Sequence, residues 1–407
     1  MGIPFRALIG LLLCTTLAAC TSAPRTGDAP PVLLVSIDGF RADYLDRGVT
    51  PNLSRIANEG VRADGMRPSY PVLTFPNHYT LVTGLRPDRH GVVHNTMRDP
   101  ELGPFKSSDE AQAGDARWWN GAEPIWVTAE KRGVHSATMF WPGSQAAIHG
   151  VRPTHWRPYD ASMANDARVD QVVEWLAQPA PRIRLATLYF ELLDKTGHDH
   201  GPDSPEMQQS LAQIDASIGR LLDDLRANGL AGRVNLVIVS DHGMAQVPPG
   251  HVVAIEDMVD PRDAENISTG QNVGFAPKRG HGQAAERRLL GRHAHYECWR
   301  KSELPPRWKF GTHPRVPAIV CQMDEGWDAI ARASVAQRPP HARGSHGYDP
   351  DAASMRALFI AQGPAFVPGA RLPVFDNVDV YPLLARLLRI APRDNDGSAE
   401  VFTPALR

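Results

Sequence analysis

Val32-Leu-Leu-Val-Ser-Ile37 runs straight into Asp38-Gly39, and the reading of that stretch decides the fold. A half-exposed strand would alternate apolar and polar residues, whereas a short, nearly continuous apolar run reads as a strand buried on both faces. Two further runs have the same form. Leu185 to Phe190 leads to Glu191 and Asp194, and Val234 to Val239 ends in Ser240-Asp241-His242-Gly243. Leu358 to Ala361 is expected as a fourth strand. Helical signals separate these runs. Thr50-Pro51 opens one helix with Leu53, Ile56 and Ala57 on a face and Gly60 as its stop. Ser204-Pro205 opens the clearest, with Met207, Leu211, Ile214, Ile218, Leu221 and Leu225 at helical spacing, and Val380 to Ile390 is the last. Buried strands alternating with helices define an α/β fold, with a largely parallel central sheet flanked by helices. Such sheets gather their ligands at the carboxyl ends of the strands, where Asp38 and Asp241 fall and which Asp194 follows shortly after.

The chain of 407 residues is 42% hydrophobic and 22% charged, the balance of a globular protein with a large core. A formal net charge of −2 gives no polyelectrolyte signature, so no stable nucleic-acid complex is expected. A phosphate-bearing ligand must be held locally, by metal ions or backbone donors. Two stretches are less regular: Asp99 to Arg168 is rich in Trp, Pro and Gly, and Asp260 to His346 in Arg, Pro and His. Both read as irregular insertions around the site rather than as separate domains.

Residues 1–19 read as a signal peptide. The apolar run from Ala7 to Ala19 is too short to span a bilayer. It ends in Leu17-Ala18-Ala19-Cys20, which resembles the lipobox of bacterial lipoproteins. Cys20 is then the lipid-bearing first residue of the mature chain, anchoring it to the cell envelope, with the outer membrane or periplasm as the expected location; ordinary secretion is the alternative. Residues 20–30 read as a tether, and 31–407 as a single catalytic domain, expected to be monomeric. Cys298 and Cys321 remain as an even pair in an exported chain and are expected to bond. A zinc site is less favoured for them, because neither belongs to a C-x-x-C pair.

Ser69 to Gly84 (S-Y-P-V-L-T-F-P-N-H-Y-T-L-V-T-G) sets a hydroxyl, Thr74, at the start of a helix in which Pro76 suits the first turn and Gly84 the stop. Free N–H groups and the helix dipole make such a place favourable for a phosphate. Taken alone, Thr74 reads equally as an ordinary helix N-cap. Likewise Asp38 reads alone as a turn residue, Asp194 and His198 as a surface ion pair, and Asp241-His242 as a hydrogen-bonded corner. Together with His346, in Gly344-Ser-His-Gly-Tyr348, they make three carboxylates, three imidazoles and one hydroxyl. Mixed carboxylate and imidazole donors suit zinc, with manganese or iron as alternatives. Seven ligands exceed one tetrahedral site and suit two ions, an arrangement fitted to in-line phosphoryl displacement.

Ile37-Asp38-Gly39, Thr74-Phe75-Pro76-Asn77-His78, Asp194-x-x-x-His198, Asp241-His242-Gly243-Met244 and His346-Gly347-Tyr348-Asp349 together resemble the nucleotide pyrophosphatase/phosphodiesterase family. That family belongs to the alkaline phosphatase superfamily, and the likeness is to its bacterial members and covers about residues 31 to 407. The resemblance implies two Zn2+ ions per chain, one held by Asp194, His198 and His346. It assigns the other to Asp38, Asp241 and His242, with Thr74 as nucleophile beside it. It also implies that Asn95 donates to a non-bridging phosphate oxygen. Phe75 and Tyr159 are candidates for stacking on a nucleotide base. The activity implied is hydrolysis of nucleotide phosphodiester or pyrophosphate bonds to nucleoside 5′-monophosphates, through a phospho-threonine. A phosphomonoesterase and a non-catalytic metal-binding lipoprotein are the competing readings. A sulfatase is disfavoured, since Thr74 does not stand in a C/S-x-P-x-R setting. His78, His90 and His94 are read as local hydrogen-bonding residues, His200 as supporting or surface, and Trp118, Trp119 and Trp141 as packing.

Overall fold

The structure, a computed structural model, describes residues 29–407, so the signal segment and Cys20 lie outside the described residues. Its centre is an eight-stranded sheet in the order Ala370–Leu372, Val61–Ala63, Phe359–Gln362, Asn235–Val239, Val32–Ile37, Leu185–Phe190, Ser136–Met139 and His155–Arg157. Val32–Ile37 is paired in parallel on both sides, with Val35 opposite Leu188 and Ile238. Its side chains divide as the pleat requires. Val32 and Leu34 face a layer containing Tyr79, Trp126 and Leu384, while Leu33, Val35 and Ile37 face Ile56, Val172, Leu211 and Ile214. Both faces are therefore apolar, which is why the strand reads without alternation.

Most of the expected helices form where the sequence places them. Pro51–Glu59 begins on its proline, and Asp215 of the long Pro205–Ala227 helix accepts from the N–H groups of Asn52 and Leu53 at 3.0 and 2.8 Å. A buried carboxylate thus satisfies the exposed donors of a neighbouring helix. Gly60 ends that helix where a Cβ would lie 2.1 Å from the Ala361 carbonyl, so a side chain there would force the helix off the sheet. Val380–Leu388 packs under the Thr74–Thr83 helix.

Three expectations change. The strand expected at Leu358 to Ala361 spans Phe359–Gln362 and runs antiparallel to both neighbours, although the sheet is otherwise parallel. The stretch from Asp99 to Arg168 does more than surround the site: it supplies Ser136–Met139 and His155–Arg157 to the central sheet and buries Trp119 and Trp126 in the core. The stretch from Asp260 to His346 carries a five-stranded sheet, antiparallel throughout, with its own core of Val273, Phe275 and Ile319. Directly opposed Cys298 and Cys321 are bonded across two of its strands. The first stretch looks irregular in sequence because its central-sheet strands are only three and four residues long and Ser136–Met139 pairs with the later Leu185–Phe190.

The second sheet returns to the first through a small antiparallel pair, Ala245–Val247 with Arg343–Ser345, in which Ala245 faces Ser345. That register sets His346 beside His242. Among the described residues no helix is long and apolar enough to cross a membrane.

Candidate active site

Asp38 directly follows its strand and Asp241 comes two residues after the end of the adjacent parallel one, while Asp194 lies in the Leu192–His200 helix after the next strand. Gly39 lets the first and last of these loops meet: its φ is +70°, and a Cβ there would stand 3.0 Å from the Cα of Asp194. Asp38, Asp241, His242 and His346 are buried, while Asp194 and His198 are partly exposed.

The three imidazoles are oriented alike. Nδ1 donates to a backbone carbonyl in each: His242 to Gly243 at 2.9 Å, His198 to Gly344 at 3.1 Å, His346 to Val72 at 2.9 Å. A carbonyl can only accept, so in the neutral ring Nε2 carries a lone pair aimed into the site. Carboxylate oxygens meet those lone pairs. Asp38 Oδ1 and Asp241 Oδ2 lie 3.4 and 3.0 Å from His242 Nε2, and Asp194 Oδ1 lies 3.4 Å from Nε2 of both His198 and His346. These same three oxygens, one from each aspartate, are buried without a hydrogen-bond partner. Acceptors crowded on acceptors in a desolvated site are costly unless positive charge lies among them. The donor set therefore fits divalent cations, and carbonyl-oriented imidazoles are the usual support of metal-ligating histidines. Donor atoms of Asp38, Asp241 and His242, and of Asp194, His242 and His346, fall within 4.8 Å of one another.

Electrostatics agree with that demand. Burial, reinforced by Asp241 and Asp194, raises the Asp38 carboxyl well above its ordinary range. For Asp241 burial acts upward too, but His242 and His78 outweigh it and hold its pKa well below the ordinary value. Burial depresses His242, yet Asp241 more than compensates and raises it. Burial together with His242 and His198 keeps His346 well below the ordinary imidazole pKa, in the neutral form a metal ligand needs.

Thr74 opens the Thr74–Thr83 helix, and the residue preceding it in the cap position is Leu73. The threonine is therefore not an N-cap; its Oγ1 points at the cluster, 3.4 Å from His242 Nε2. Asn95 stands alongside, its Oδ1 accepting from the Phe75 N–H at 3.0 Å, which leaves Nδ2 as the donor half of the amide. Phe75 and Tyr159 line one cleft of about 350 Å3 with Phe140, Trp141 and Tyr189. Trp141 both packs and borders this cleft, with its Nε1 donating to the His78 carbonyl at 3.1 Å.

Sequence reasoning missed the supports. Tyr189 donates to Asp38 Oδ2 at 2.6 Å. His78 lies 3.3 Å from Asp241 Oδ2 through Nδ1, which also donates to the Thr74 carbonyl at 2.9 Å, and Ser36 donates to its Nε2 at 2.8 Å. A signal existed: Ser36 and Tyr189 are polar groups in strands buried on both faces and must find partners, and His78 lies one turn after Thr74. His90 is local as expected, bonding Thr80 and Val92, whereas His94 accepts from the nearby Thr96 N–H but also reaches across the fold to donate to the Asn272 carbonyl.

A largely parallel sheet carrying carboxylates, imidazoles and a helix-borne threonine at its strand ends is the architecture of an alkaline phosphatase-like hydrolase. Comparison with known proteins narrows this. The family model for type I phosphodiesterase / nucleotide pyrophosphatase matches residues 32–349, and the chain belongs to that family. It is 33% identical to the bis(5′-adenosyl)-triphosphatase of Xenopus laevis over 96% of this chain and 84% of that one. It is 35% identical to ectonucleotide pyrophosphatase/phosphodiesterase family member 5 of Homo sapiens over 96% and 81%. The solved murine member 5 superposes with a TM-score of 0.88 at 35% identity, covering 93% of this chain and all of that one. Another structure of the murine protein is of an inactive threonine-to-alanine variant in complex with AMP. The chain is accordingly a hydrolase of the nucleotide pyrophosphatase/phosphodiesterase type, which excludes the non-catalytic reading.

Proposed function

We propose that the protein is a two-zinc enzyme that cleaves nucleotide phosphodiester or pyrophosphate bonds to nucleoside 5′-monophosphates through a phospho-threonine. The observation that carries this is the convergence of three unpartnered buried carboxylate oxygens on inward-facing imidazole Nε2 atoms, beside the free hydroxyl of Thr74. Asp38, Asp241 and His242 would hold one ion, and Asp194, His198 and His346 the other. Ions bound there supply Lewis-acid charge that acidifies a hydroxyl and neutralises the leaving oxygen. Thr74 is placed by the helix start to attack phosphorus, and the first-turn backbone and Asn95 Nδ2 face the charge developing on a non-bridging oxygen. Phe75 and Tyr159 offer ring faces to the base, and Tyr189 fixes the Asp38 carboxylate through its hydroxyl. Hydrolysis of the threonine ester then releases the monophosphate and restores Thr74.

Acid quenching during turnover of thymidine 5′-p-nitrophenyl phosphate, followed by peptide mapping, tests the proposal. A thymidylyl group on the peptide bearing Thr74 is expected; turnover with no adduct there, under conditions that trap a burst, rejects the covalent route. We also infer that Cys20 is lipidated and holds the enzyme at the cell envelope, on the lipobox-like Leu17-Ala18-Ala19-Cys20. Cys20→Ala should release the protein from membrane fractions or stop its processing.

A further inference from the structure

The aromatic cleft reaches the cluster from the side of Asp38, through Tyr189. On the side of His198 a second, more open groove of about 760 Å3 meets the site, and its wall has different chemistry. His198 lines it together with His200, Thr269, Arg338, His341 and Arg343. Arg338 and Arg343 both turn a guanidinium N–H to the same oxygen of Asp328, the former at 2.8 Å. Asp328 is buried, and Gln271 also donates to it. One carboxylate thus faces two guanidinium groups, leaving an excess positive charge at the groove. The acid on the wall itself, Asp199, is engaged by Lys195 at 2.6 Å. His341 donates to the Asp199 carbonyl at 3.0 Å, and the exposed His200 ring lies parallel to it, 13° between planes and 6.3 Å between centres.

In-line displacement sets the leaving oxygen opposite the attacking one. The attacking hydroxyl, Thr74 Oγ1, stands at His242. From there contacts run through His346, whose ring lies 3.5 Å from that of His242, and through Asp194, 3.4 Å from both His346 and His198, to the groove that His198 lines. A leaving group departing on the side of Asp194 and His198 would meet it. The segment around the nucleophile, Ser69 to Gly84, contains no Lys or Arg. A highly charged leaving group must therefore find its cations elsewhere, and the groove has them.

We propose that the groove is a leaving-group subsite for anionic phosphate chains, such as pyrophosphate or a nucleoside polyphosphate, with Arg338 and His200 as specificity residues. The inference rests on the phosphodiesterase reading above and deepens it. In the step concerned, the Thr74 oxygen forms a bond to the α-phosphorus and the α–β bridging bond breaks. Pyrophosphate departs with the bonding electron pair, and the hydroxyl proton passes to water. Guanidinium groups suit such chains because their planar donors match phosphate oxygens.

Two substrates that share the nucleoside and the attacked phosphorus separate the possibilities: thymidine 5′-triphosphate, which releases pyrophosphate, and thymidine 5′-p-nitrophenyl phosphate, which releases an aryl oxide. For Arg338→Gln the ratio of kcat/KM, triphosphate over aryl ester, should fall about tenfold, and Arg338→Lys should recover most of it. The inhibition constant of inorganic pyrophosphate should rise in parallel. Asp328 keeps Arg343 and Gln271 in this variant, and His200→Ala, at an exposed position, gives a second test with an expected fall of about threefold. An unchanged ratio in both variants, or equal losses on both substrates, overturns the subsite. A wild-type enzyme that turns over neither substrate overturns the phosphodiesterase reading itself and this inference with it. Turnover of the aryl ester but not of the triphosphate overturns the subsite alone.

Discussion

Asp38 and Tyr159 stand on either side of Tyr189, the first 1% exposed and the second 39%. Tyr189 touches both regions: its hydroxyl bonds Asp38 at 2.6 Å, and its ring centre lies 6.4 Å from that of Tyr159. On the Asp38 side, polar atoms are gathered in a desolvated space with too few donors, and backbone carbonyls fix the direction of every imidazole. On the Tyr159 side, the rings of Phe75, Phe140, Trp141 and Tyr159 border an open cleft. The difference teaches which side can tolerate change. A carboxylate or hydroxyl lost from the cluster removes something nothing else supplies, whereas a ring lost from the cleft removes area from one part of the substrate.

The largest loss is expected at Thr74. Thr74→Ala should lower kcat on a nucleotide aryl ester by about a thousandfold or more, the scale of losing a nucleophile. Because Thr74 is not a cap, thermal stability and metal content should stay close to wild type; retention of near-wild-type rates would remove the covalent mechanism. Next in size is the metal demand. Chelation at neutral pH should lower activity by at least about a hundredfold, with zinc restoring it, since bound ions supply several kcal/mol of transition-state stabilisation. Metal analysis should give about two ions per chain, and His346→Ala should lose one of them selectively. One tightly bound ion with full activity contradicts the paired site.

The cleft is sharpened by substrate choice. A diester should exceed its matched monoester by about a hundredfold in kcat/KM, because the dianionic monoester meets only neutral groups at Asn95 and Phe75. Phe75→Ala should narrow this gap by about tenfold, chiefly by slowing the nucleotide diester. Equal rates on the two substrates move the enzyme to the phosphomonoesterase alternative. The smallest effect is expected where the regions join. Tyr189→Phe keeps the ring and removes one hydrogen bond to Asp38, so kcat should fall by about three- to tenfold with little change in KM, given roughly 1 kcal/mol for such a bond. A larger change in KM than in kcat assigns the residue to substrate binding instead.

Much of this site was legible without coordinates. Apolar runs without alternation marked Val32–Ile37, Leu185–Phe190 and Asn235–Val239 as strands buried on both faces, and that burial forces any carboxylate they end on to the rim of the sheet. Six of the proposed ligands could then be picked out because acid or imidazole residues follow all three strands: Asp38, Asp194 with His198, and Asp241 with His242; His346 follows none of them. The pairing of Cys298 with Cys321 was also legible, since of the four cysteines Cys14 falls in the expected signal peptide and Cys20 in the lipobox-like motif. What it could not give depends on contacts between distant segments. Strand direction for Phe359–Gln362 is set by the path of the preceding loop, and local pattern is the same for either direction. Ser136–Met139 and His155–Arg157 become visible only when their partners are in place, because a strand of three or four residues carries no readable period. The same holds for function: Thr74 as cap or nucleophile, and Arg338 as surface charge or groove wall, differ only in what stands opposite. Residue types settled the chemistry available to this chain, and tertiary structure decided it, because hydrogen bonds, desolvation and charge act across a few ångströms of space and not along the sequence.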